Sequence, residues 1–129
     1  MKTSCNRCGQ NIEQTRFTFY EVDRQDRKHR LGTFCMHCTT ELLDELKGKV
    51  EWFHIEEDTW KGYIHPEARR ELEKAGFVHP KHDTKYIEVK LVETKRRKIE
   101  RTDALAILRV KYAGNLISKE EYEKLLKEL

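Results

Sequence analysis

Four cysteines in two Cys-x-x-Cys pairs constrain this chain more than any other feature: Cys5-Asn6-Arg7-Cys8 and Cys35-Met36-His37-Cys38, with none left over. A two-residue gap lets both sulfurs approach one metal at about 2.3 Å when the backbone makes a tight knuckle, and two such pairs complete a tetrahedron. Gly9 follows the first pair and permits the positive φ by which backbone N–H groups turn back toward a thiolate. The second pair runs into Thr39 to Leu46, where Leu42, Leu43 and Leu46 fall on one helical face and Gly48 supplies a stop. That pair therefore opens a helix, whose free N–H groups and partial positive charge favour thiolate over thiol. One structural Zn2+ on Cys5, Cys8, Cys35 and Cys38 is expected, ahead of rubredoxin-type iron, a redox dithiol or four buried thiols. Iron is disfavoured because Thr39 stands where a second knuckle glycine belongs. Four thiolates also close the coordination shell to water and substrate, which makes the metal structural rather than catalytic. His37 lies between two ligands and is expected to point away from the metal.

Between the pairs, Arg16 to Val22 is aromatic and β-branched, Asp23 to His29 is charged, and Leu31 to Phe34 resumes the apolar pattern, which predicts a β-hairpin. Knuckle, hairpin and a second cysteine pair in the first turn of a helix together resemble the treble-clef family of zinc fingers, over about residues 3–48. The resemblance implies that the four cysteines are the ligands and that Phe17, Phe19, Leu31, Phe34 and Leu42 supply a small core.

In the middle of the chain, Val50 to Ile55 reads as a strand ended by Glu56-Glu57-Asp58, and Trp60-Lys61-Gly62-Tyr63 reads as a turn. Pro66 marks a helix start, and Glu67 to Ala75 is a helix closed by Gly76. Phe77-Val78 and Tyr86 to Val92 have strand character and are expected to pair as a second hairpin. His54, His65, His79 and His82, with Glu57 and Asp83, contain the residue types of a second metal site or a nuclease centre. No fixed spacing such as His-Glu-x-x-His links them, so surface and turn histidines are the favoured reading. Nucleases of the His-Asn-His type also carry two Cys-x-x-Cys pairs on a treble clef, but the hairpin here holds only His29 and lacks a histidine dyad.

At the C-terminus, Leu105, Leu108 and Tyr112 recur at helical spacing up to Gly114-Asn115, where Leu116 and Ile117 are placed to fold back over the helix end. Ser118-Lys119-Glu120-Glu121 is a capping box for a second helix with Tyr122, Leu125, Leu126 and Leu129 on its apolar face. This stretch resembles the short C-terminal helical domain called SHOCT. The resemblance implies an accessory module for oligomerisation or partner contacts, while the same pattern also suits a hairpin that closes the protein's own core.

A mean hydropathy of -0.87 leaves little apolar material for one large core, so an α+β chain of three parts is expected: a zinc finger (1–49), an α/β segment with a basic strand end (50–101) and a helical hairpin (102–129). No apolar run approaches the roughly 20 residues of a membrane span, and Met1 to Cys5 holds no apolar leader, so a cytoplasmic protein is expected. Residues 81–101 carry eight basic and four acidic groups, with a basic stripe at Lys95-Arg96-Arg97-Lys98. The expected function is non-enzymatic binding of nucleic acid or a nucleoprotein machine, with Arg7, Arg16, Arg24, Arg27, Lys28, Arg30, Lys95, Arg96, Arg97 and Lys98 as phosphate contacts. A protein-interaction adaptor or oligomerisation module without nucleic-acid binding comes second, and a treble-clef nuclease third.

Overall fold

The computed structural model describes residues 3–12, 15–56, 58–92 and 101–128. Two-residue strands β1 (Thr3–Ser4) and β2 (Asn11–Ile12) pair around the first cysteine pair. The aromatic run becomes β3 (Arg16–Asp23) and returns as β4 (Lys28–Phe34), with Phe17 opposite Phe34 and a bulge after Phe19. Helix α1 (Met36–Glu45) follows the second pair. Next come β5 (Val50–Glu56), β6 (Thr59–Ile64), a 3-10 turn at Pro66–Ala68, α2 (Arg69–Ala75), β7 (Thr84–Val92), α3 (Arg101–Ala113) and α4 (Lys119–Glu128).

The larger sheet is antiparallel in the order β4-β3-β7-β6-β5. β7 is inserted between β3 and β6, so segments 1–49 and 50–101 contribute strands to the same sheet. Side-chain alternation then sorts its two faces. Phe17, Phe19, Trp60, Ile87, Val89 and Leu91 pack on one side with Leu43 of α1 and Leu46 at its C-cap, Leu72 of α2, and Ile107 and Val110 of α3. The register puts Tyr20, Phe53, Lys61, Tyr63, Tyr86 and Lys90 on the other side.

Two expectations for the middle segment need correction. Trp60-Lys61-Gly62-Tyr63 is not a turn but the body of β6, with Trp60 buried opposite Val89. Phe77-Val78 does not form a strand paired with Tyr86 to Val92. Both N–H groups turn back to the Leu72 carbonyl, at 3.0 and 3.3 Å, as Gly76 takes a left-handed conformation and closes α2. The helix stop therefore uses the hydrogen bonds a strand would need. β7 pairs instead with β3 and β6.

The two C-terminal helices are in contact, and α3 also packs on α1. At their junction Asn115, not Gly114, takes the left-handed conformation (φ 63°), and the Leu116 N–H bonds the Lys111 carbonyl at 2.8 Å. Gly114 has a different task. A Cβ there would lie 2.4 Å from Leu43 Cδ1 and 2.8 Å from its Cβ, so the missing side chain lets α3 meet α1. Gly114→Ala is expected to cost about 1–3 kcal/mol through overpacking, read as a lower denaturant midpoint at unchanged slope.

Among the described residues, no helix is long and apolar enough to cross a membrane.

Candidate metal centre

The first knuckle is shaped by its own backbone. The Cys5 N–H bonds the Gln10 carbonyl at 2.8 Å, and the Gly9 N–H bonds the Cys5 carbonyl at 2.9 Å with Gly9 at φ 78°. Asn6 fastens this turn to β4: its N–H donates to the Thr33 carbonyl at 2.9 Å, and its Oδ1 accepts the Thr33 N–H at 2.7 Å. Arg7 adds a brace to α1 through Glu41 at 3.2 Å and Glu45 at 3.8 Å. The second pair sits where the sequence places it. Cys35 is the N-cap of α1, and its Sγ accepts the Cys38 N–H at 3.5 Å.

These supports bring the four Sγ atoms within 4.8 Å of one another. Cys8 Sγ and Cys35 Sγ are 3.9 Å apart, and the Cys35 N–H donates to Cys5 Sγ at 3.4 Å. Ligand bonds of about 2.3 Å in a tetrahedron place sulfurs about 3.8 Å apart, so the cluster fits one metal ion with small closure. Cys5 and Cys38 are buried and Cys8 is exposed.

Electrostatics at the sulfurs is uneven. Burial opposes ionisation of Cys5, but N–H groups of Cys8, Cys35 and Arg7 outweigh it and hold the thiol down at about 6. Burial pushes the Cys35 and Cys38 thiols up. A dication entering this site must displace protons, so acid competes with metal.

Most of the proposed phosphate contacts within the described residues have carboxylate partners. Arg7 faces Glu41 and Glu45, Arg24 faces Asp83 at 2.9 Å, Arg27 faces Asp23 at 2.9 Å and Lys28 faces Glu88 at 2.9 Å. Arg30 donates instead to the Thr33 hydroxyl at 2.6 Å, and no carboxylate among the described residues pairs with it or with Arg16. Lys95, Arg96, Arg97 and Lys98 lie outside the described residues, as does Glu57.

The histidines do not converge: His37 pairs with Glu41 at 3.1 Å, and His65 stands at the start of the 3-10 turn with its N–H on the Lys49 carbonyl at 3.0 Å. His54 stacks on Trp60, whereas His79 and His82 lie together at the far end of the sheet with His29, which the sequence did not associate with them. His82 stacks on His29 at 4.0 Å, and each ring bonds a buried carboxylate: His82 Nδ1 to Glu21 at 2.7 Å, His29 Nε2 to Asp23 at 3.1 Å. Glu21 also accepts the His79 N–H at 2.9 Å and the Thr84 hydroxyl. Burial opposes its charge, yet Thr84, His82 and His79 together hold its carboxyl below the usual range. Burial opposes the Asp23 charge as well, and is outweighed by His29 and Arg27. Among the described residues, the four cysteines are the only group of three or more His, Cys, Asp or Glu side chains placed to hold a metal ion.

No family model matches the chain, and neither does any curated protein or solved structure compared with it.

Proposed function

We propose that the four thiolates hold one structural Zn2+ in a treble-clef finger, and that the protein is a non-enzymatic binder of nucleic acid. The zinc reading is supported by the all-sulfur donor set, the fit of the sulfurs to one tetrahedron and the second pair at a helix N-terminus. β1–β2, β3–β4 and α1 follow the knuckle, hairpin and helix order of that family. Nucleic-acid binding rests on one observation: the sheet face opposite the helices presents cations among aromatic rings, with Arg16, Arg30, Lys61 and Lys90 lacking a carboxylate partner among the described residues. The basic stripe at Lys95 to Lys98 follows directly in sequence after β7. Affinity for labelled oligonucleotides is expected to fall steeply as salt rises from about 50 to 200 mM, because each neutralised phosphate releases counterions. Absence of binding at the lowest salt would contradict the reading.

A protein-interaction role has its own observation. α4 has no fully buried residue, and its Tyr122, Leu125 and Leu126 are only half-covered, as suits a SHOCT-like accessory hairpin. Tyr122 stacks on Tyr112 of α3 at 4.5 Å, and the remaining apolar strip is open to a partner.

A further inference from the structure

We infer that the open sheet face binds single-stranded nucleic acid, with unstacked bases on Phe53 and Tyr63 and the backbone along Lys61 and Lys90. This inference rests on the nucleic-acid reading above and says which form is bound and where. Three rings step across three adjacent strands: Phe53 on β5, Tyr63 on β6 and Tyr86 on β7, with centroid separations of 5.5 and 5.4 Å. Phe53 and Tyr63 are 46% and 41% exposed, whereas Tyr86 is buried beneath its neighbours. Tyr86 thus backs the platform. It also positions Lys61, whose Nζ lies 4.7 Å from the Tyr86 centroid.

Beside the rings is a concavity of about 230 Å³ whose lining holds three lysines, Lys28, Lys61 and Lys90, against two carboxylates, Glu56 and Glu88, with Ile55, Thr59 and Tyr86 completing it. Glu88 is buried and holds Lys28 at 2.9 Å, which partly neutralises the floor. Lys61 and Lys90 have no carboxylate partner among the described residues, and Thr59 adds a hydroxyl. Cations beside an open aromatic surface suit a polyanion that also offers flat π-faces. A duplex hides those faces, and its major groove admits a helix or a two-stranded ribbon rather than a five-stranded sheet. A single strand exposes bases to stacking and its phosphates to lysines.

The test measures anisotropy of labelled oligo-dT and oligo-U of about 12 nucleotides, within the site sizes such platforms show, against a duplex of equal length. The single strands are expected to bind more tightly, and the two arms separate DNA from RNA. Phe53→Ala and Tyr63→Ala are each expected to lower single-strand affinity about tenfold or more while leaving the salt slope unchanged, since neither ring is charged. Tyr63→Phe keeps a ring and should retain affinity. Lys61→Ala combined with Lys90→Ala should instead reduce the slope by about 1.4, or 0.7 for each phosphate contact. Circular dichroism and metal content of each variant identify any loss caused by misfolding.

Preference for the duplex, or full single-strand affinity in folded Phe53→Ala and Tyr63→Ala proteins, overturns this inference and leaves nucleic-acid binding standing. No binding to any of the three probes at low salt overturns both. Sedimentation without nucleic acid reads the competing occupant: a dimer dispersed by Phe53→Ala would make this face a contact between copies and overturn the proposal.

Discussion

Replacing Cys38 with serine, or stripping the metal with a strong chelator, is expected to unfold the N-terminal part of the protein. Structural Zn2+ binds with about 10–16 kcal/mol of apparent free energy, comparable with the whole stability of a typical domain. That energy is folding energy because no preformed site exists in the unfolded chain. The knuckle has little else to hold it: β1 and β2 are two residues each, and Asn6 and Arg7 supply its ties to β4 and α1. Damage should spread beyond the finger, since Phe17, Phe19 and Phe34 belong to the same core as Val89 and Leu91 of β7. Cys38→Ser and Cys5→Ser, at buried ligands, should cost more than Cys8→Ser, whose serine hydroxyl and the freed metal position can be reached by water. Loss of secondary structure by circular dichroism on chelation, restored by added Zn2+, is the readout. Acid should act in the same direction, because the ligands bind metal only as thiolates.

Glu21→Ala is expected to be the most damaging change away from the metal, at about 3 kcal/mol, because it strands donors that bonded a buried charge. The carboxylate is 1% exposed and joins β3 to the segment leading into β7 through His79, His82 and Thr84. Glu21→Gln keeps the shape and should cost less. Its pH dependence has a definite sign. The folded carboxyl titrates below its unfolded value, so its contribution is full above about pH 4.3 and is lost as pH falls through the lower, folded value. Denaturation of wild type and Glu21→Gln between about pH 7 and 3 should therefore converge toward the acid end, where the charge that separates them is titrated away.

The four-cysteine cluster was legible in the sequence because its geometry is local. Two-residue gaps, Gly9 and the helix after Cys38 state the knuckles without reference to distant residues, and the β3–β4 hairpin is equally local. β6 was not legible because Gly62 looks like a turn residue. In the fold it lies where a Cβ would be 2.8 Å from the Trp52 ring, so the glycine serves a close approach between strands. Alternation sets Glu21 on the same face as Phe17 and Phe19, but the groups that satisfy its buried charge come from a segment about 60 residues away. Lys28 and Arg24 likewise look free until Glu88 of β7 and Asp83 just before it arrive beside β3 from far along the chain. The open face escaped notice for the same reason. Period-two alternation was present in Lys61-Gly62-Tyr63 and in Tyr86-Ile87-Glu88-Val89-Lys90, but only the strand order sets those residues side by side.

Elemental analysis of the folded protein tests the central claim most directly. The account predicts one zinc per chain, with no thiol reacting until the metal is removed and four reacting afterwards. A folded protein that is metal-free with four reactive thiols, or that carries iron in place of zinc, would contradict it.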